Sequence, residues 1–328
     1  MTYLIKRILC TTFIILLTQQ AAAQCSDEVE PNREDPLLPD STQCFLGAQA
    51  ASLGAGQSEI LNRRTAASGS LQATQGTGAG DTAGFSGPLW ISLGVRNSEF
   101  EDADLELGIM TIGTDLYASD TGAFGFMLQA DLSNQDGIYG NSFDSSGYMA
   151  GFYGIKAGQS VTLDGRLMAG QSSTDVAGGG DRADDVDGSR WLAAMRVSGE
   201  HYLENETLII PHLAVSWLEE QLDSYTLGSN TADDSTVSYG QANIGTTVLI
   251  PITVNETAGS IVVGTSGILG FGDAAGNEVP DDLRGRLDLG FEFFRANTWA
   301  TSGKFYVDGL GHSDYEARGV DLGITLWF

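Results

Sequence analysis

The chain has 328 residues, with 43 acidic side chains against 16 Lys and Arg, and a formal net charge of −27 at pH 7. This balance excludes nucleic acid as a partner, because phosphate contacts need a basic surface. With three cysteines and three histidines, and no CxxC or Cys/His spacing, no zinc motif exists and no cofactor is expected.

The N-terminus reads as a secretory signal over residues 1–23. Lys6 and Arg7 form a charged start, Ile8 to Leu17 an apolar core, and Ala21-Ala22-Ala23 a small-residue cleavage site before Gln24. The apolar run is too short for the roughly twenty residues a spanning helix needs. Cleavage removes Cys10 and leaves Cys25 and Cys44, which read either as a disulfide in an exported chain or as two free thiols. Residues 24–87 form a short N-terminal segment, acidic and proline-bearing to 45, then rich in Ala, Gly, Ser, Gln and Thr. Ser58 to Ser68 is its candidate helix, and the glycine-rich stretch at 76–87 reads as linker.

From Pro88 to Phe328 the texture changes. Twelve segments of period-2 alternation are expected, near 88–96, 106–116, 122–133, 146–155, 160–172, 188–202, 207–219, 236–251, 258–271, 283–294, 299–310 and 317–328. Most reach the nine to eleven residues of a tilted strand that crosses a bilayer. In the last, Val320, Leu322, Ile324, Leu326 and Phe328 share one face, opposite Asp321, Gly323 and Thr325. In the third, Phe124, Phe126, Leu128, Ala130 and Leu132 oppose Gly125, Gln129 and Asp131. An apolar face toward lipid and a polar, small-residue face toward a lumen is the pattern of a transmembrane antiparallel up-and-down β-barrel.

The intervening connections alternate in length. Long ones are expected near 97–105, 134–145, 173–187, 220–235, 272–282 and 311–316, and short ones between them. An even strand number puts both termini at one end, so the long connections all face the other way, as in barrels of the bacterial outer membrane. Trp90, Tyr117, Trp191, Tyr202, Trp217, Trp299 and Trp327 lie near strand ends, as interfacial girdles do, although some are expected to face the lumen.

Candidate chemistry is sparse. His201, His212 and His312 fall on separate elements, so no catalytic or metal set is expected of them. The stretch 181–189 resembles a calcium loop only loosely, with Ala183 and Ala194 at ligand positions. Asp181, Asp184, Asp185 and Asp187 remain candidates for loose cation bridging, with a solvated loop as the plainer reading. Arg96, Asp131, Arg166, Arg196, Glu200, Arg286, Asp288 and Glu292 are expected inside, pairing across strands or contacting a threading segment. No Gly-x-Ser-x-Gly element occurs, and no enzyme is expected.

Four stretches together resemble the autotransporter β-domain, the translocator barrel of type V secretion. They are LWISLGVRNSEFE at 89–101, GYMAGFYGIKAGQSVTLDGRLMAGQSS at 147–173, DGSRWLAAMRVSGEHYLENETLIIPHLAVSWLEEQLDSYT at 187–226 and RGVDLGITLWF at 318–328. The resemblance implies a twelve-stranded barrel at 88–328 in the Gram-negative outer membrane, with a helix or linker in its pore. It also implies insertion by the outer-membrane barrel assembly machinery, which would make Val320, Leu322, Ile324, Leu326 and Phe328 an assembly signal. The expected surroundings are outer-membrane lipid and lipopolysaccharide, and the expected state is a monomer. Only residues 24–87 stand where the family carries a long passenger, and no solenoid repeat is visible. Anchoring and export of that segment is the first reading. A barrel-only pore or structural protein, or an adhesin acting through acidic outer loops, are the alternatives.

Overall fold

The computed structural model describes Gln49 and, from Pro88 to Trp327, all residues except 101–102, 120, 137–140, 159, 179, 256, 275–282, 296–297 and 314. The candidate helix at Ser58–Ser68, the Cys25 and Cys44 pair, the signal region and Phe328 lie outside the described residues.

Twelve long strands make one sheet: β1 (Leu89–Phe100), β2 (Ala103–Ser119), β3 (Gly122–Asp136), β4 (Ser142–Ala157), β5 (Val161–Gly178), β6 (Asp181–Gly199), β8 (Leu208–Leu222), β11 (Ser235–Val254), β12 (Thr257–Ala274), β13 (Leu283–Arg295), β14 (Trp299–Leu310) and β15 (Tyr315–Leu326). Short β7 (His201–Tyr202) adds to β8, while β9 (Tyr225–Leu227) and β10 (Asn230–Ala232) form a separate hairpin. Each long strand pairs antiparallel with the next. β15 then pairs with β1 from Leu89↔Leu326 to Phe100↔Tyr315, which closes the barrel. Closure leaves no open strand edge at the level of the belt, where the wall pairs with itself without needing water.

All twelve expected strands are present, but several are longer than a bilayer requires. β5 runs to Gly178 and β6 begins at Asp181, so the expected long loop at 173–187 is mostly wall. The same holds at 97–105, where β1 ends at Phe100 and β2 begins at Ala103. The cause is visible on β2. Near the end that carries the termini, its outward residue is Leu116 and its lumen residues are Gly113 and Asp115. Farther along, the outward residues are Asp104 and Glu106, and the buried lumen residues are Leu105 and Leu107. Alternation continues while polarity is exchanged between the faces. A wall inside lipid needs its apolar face outside; a wall above lipid is a soluble sheet and needs it inside.

β8 repeats the exchange. Its outward face passes from Leu213, Val215 and Trp217 to Glu219 and Gln221, and its lumen face from Ala214 and Ser216 to Leu218 and Leu222. The apolar belt so defined includes Leu93, Met110, Leu128, Phe152, Leu167, Met195, Ile244, Val263, Leu289, Phe305 and Leu322, all exposed.

Candidate functional site: the barrel lumen

Because side chains alternate, every second residue of the wall projects inward, and within the belt and at its far border a set of those residues is charged. Asp131 on β3 accepts from Arg190 on β6 at 2.8 Å, and Arg190 lies 3.4 Å from Glu220 on β8. Ser172 on β5 donates to Glu220 at 2.6 Å. The three charged side chains are fully buried, so each depends on its partners for the solvation that water would supply. Arg196 donates to Asp164 at 3.1 Å. Arg284 donates to Asp308, Tyr239 and Gln241, and its guanidinium lies 4.9 Å over the Tyr315 ring. Arg286 pairs with Asp288 at 3.1 Å, Lys304 reaches the same carboxylate at 3.4 Å, and Arg286 stacks 3.7 Å over Tyr306. Arg166 is equally buried, yet none of its three guanidinium nitrogens has a hydrogen-bond partner among the described residues.

Aromatic side chains add a second layer. Trp90 donates from Nε1 to the Tyr153 hydroxyl at 3.2 Å, and that hydroxyl donates to Asp115 at 2.7 Å. The Tyr153 ring lies over Gly125 and the Trp90 ring over Gly113, where a Cβ would collide with them. Small lumen residues thus create room for large neighbours to lie flat against the wall.

Beyond the belt the lumen turns apolar. Leu105, Leu107, Phe143, Val176, Val186, Leu218, Leu222 and Val237 are buried in one cluster, with Tyr225, Leu227 and Ala232 of the β9–β10 hairpin among them.

One residue of the N-terminal segment is seen here. Gln49 has helical backbone, is fully buried, and donates from Nε2 to Ser133 Oγ at 3.1 Å. Ser133 is a lumen residue of β3, level with Leu107 of β2 in the far half of the barrel.

The sites expected from sequence fall as follows. Arg96, Asp131, Arg166, Arg196, Arg286, Asp288 and Glu292 do face inward, but Glu200 is exposed just past the end of β6. Trp90, read as a girdle residue, faces the lumen; Tyr117, Trp191 and Tyr202 are exposed on the outside. Val320, Leu322 and Ile324 are exposed in the belt, and Leu326 is half-buried. Asp181, Asp184, Asp185 and Asp187 are exposed on β6 and not gathered into one site. Arg182 pairs with Asp184 and, at 2.6 Å, with Asp175. The Asp185 backbone N–H, followed by Arg182, holds the Asp175 carboxyl below its ordinary range. No group of three or more His, Cys, Asp or Glu able to hold a metal ion occurs among the described residues. His201 is exposed, His212 is half-buried in the lumen, and His312 packs edge-on to Tyr315.

Sequence reasoning missed the buried Arg190, Glu220, Arg284 and Asp308. Glu220 sits where a loop was expected to begin, and alternation carried past that strand end would have placed it inside. Arg190 and Arg284 lie within expected strands, on the same face as Arg196 and Arg286.

A closed antiparallel wall with an apolar belt outside and ion pairs inside defines an outer-membrane-type β-barrel. The chain belongs to the autotransporter β-domain family, whose model matches residues 89–280. Its fold is similar to that of the β-domain of the Bordetella autotransporter BrkA, with a TM-score of 0.60 at 16% identity, covering 74% of this chain and 100% of that one. It is also similar to the translocator domain of NalP from Neisseria meningitidis, with a TM-score of 0.61 at 12% identity, covering 85% of this chain and 98% of that one. The transport unit of AIDA-I from Escherichia coli gives 0.57 at 16% identity, covering 79% and 96%. No curated protein sequence matches the chain.

Proposed function

We propose that this barrel anchors residues 24–87 in the outer membrane and carries their front end through its lumen. The observation behind this reading is the hydrogen bond from Gln49 to Ser133. Gln49 lies inside the far half of the barrel, while Leu89 begins β1 at the end that carries the termini. The intervening chain therefore has to bridge the two levels, and the lumen is the direct way. The wall does no chemistry in this role. It supplies a hydrogen-bond-closed tube in which most lining charges, Arg166 apart, pair with one another among the described residues, and we assign it no catalytic step. We place its belt against lipid and lipopolysaccharide, and we assign its insertion to the barrel assembly machinery acting on the last strand.

The test is a disulfide between the two partners. Gln49→Cys with Ser133→Cys, made in full chain with Cys25→Ser and Cys44→Ser, is expected to cross-link on mild oxidation in cells. The product would migrate differently until reduced. Folded, membrane-embedded barrel with no such cross-link would overturn the reading.

A further inference from the structure

We infer that the β9–β10 hairpin is an apolar stopper that closes the far mouth of the barrel on the side of β5, β6 and β8. The inference goes beyond the passage of the N-terminal segment and does not rest on it.

The hairpin leaves the wall at Asp223, whose backbone N–H donates to the Asp187 carbonyl at 2.9 Å. Its two strands then pair only with each other, Tyr225↔Ala232 and Leu227↔Asn230, and form a sheet separate from the wall. One face is buried through Tyr225, Leu227 and Ala232; the other, with Thr226 and Thr231, is exposed. The buried face meets Val176 and Val186, which point into the lumen from β5 and β6. Leu227 lies over Gly178, within ordinary contact of where a Cβ would stand. Gly228, at φ +62° in the left-handed region that favours glycine, turns the hairpin back toward the Asp181 carboxylate. A hairpin of two three-residue strands is marginal alone, so burial of these apolar side chains holds it down. An apolar constriction excludes water and ions by dewetting, without any charged gate.

The lumen residue just beneath is Thr174, fully buried and paired in register with Val186. Thr174→Cys in the Cys25→Ser, Cys44→Ser background is to be treated in intact cells with a charged, membrane-impermeant methanethiosulfonate. With the native hairpin the thiol is expected to react at least about tenfold more slowly than one at Thr226→Cys. Adding Tyr225→Asp and Leu227→Asp is expected to remove that protection, whereas Tyr225→Phe with Leu227→Met should keep it. Heat-dependent gel mobility reports that each variant is a folded barrel. If the Asp pair does not fold, Tyr225→Ser with Leu227→Ser replaces it under the same expectation. Equal rates at Thr174→Cys and Thr226→Cys with the native hairpin would overturn the proposal. So would unchanged protection in a folded polar variant.

Discussion

Arg190 of β6 reaches over Gly147 of β4 to donate to Asp131 of β3, bridging residues 59 apart in sequence at 2.8 Å. A Cβ at Gly147 would occupy the space of the guanidinium. With Glu220 of β8 on the same guanidinium, Arg190 ties β3, β6 and β8 together through side chains alone, inside a wall already closed by its backbone. Arg190→Met is expected to cost about 3–5 kcal/mol, because Asp131 and Glu220 would stay buried without their cation. Gly147→Val should act in the same direction by displacing Arg190. Urea unfolding followed by tryptophan emission, in detergent or lipid, measures both.

Arg166 gives the opposite expectation. It is a buried guanidinium with no hydrogen-bond partner among the described residues, so its desolvation is not offset by one. Arg166→Met should leave stability unchanged or raise it, read as the temperature of the heat-induced gel shift. A loss as large as that of Arg190→Met would contradict the account.

The exchange of polarity along the wall sets a depth rule. Leu322→Arg, outward in the belt, is expected to cost about 2–4 kcal/mol or less toward an interface. Glu106→Leu, outward beyond the belt, should change stability by only about 0.5 kcal/mol. Its chain neighbour Leu107, inward at the same height, should not tolerate Asp. Equilibrium unfolding of the three variants would show whether one strand obeys two opposite rules.

Tyr153→Phe removes the hydroxyl that accepts from Trp90 and donates to Asp115. About 1–3 kcal/mol is expected, the cost of leaving buried polar groups unmade. Trp90 emission should also change, since its Nε1 loses its acceptor.

The wall was legible because a spanning strand has one physical constraint per face. Leu322 and Asp321, or Leu128 and Gln129, declare lipid and lumen by alternation alone. The far half was not legible in the same way. There Leu105 and Leu107 are separated by Glu106 as in any strand, but the acidic outward residues resemble a loop to a reader who expects lipid. The register of Arg190 with Asp131 was hidden for another reason: it crosses two intervening strands, and local spacing carries no information about a contact through the lumen. The β9–β10 hairpin was hidden by its length, since three-residue strands leave no periodic signal.

The claim that the N-terminal segment crosses the barrel is tested most directly by an epitope tag placed after Asp27, probed in intact cells beside a periplasmic control protein. The account expects antibody or external protease to reach the tag while the control stays protected. A tag reached only after the outer membrane is permeabilised would contradict it and leave residues 24–87 on the periplasmic side of a plugged barrel.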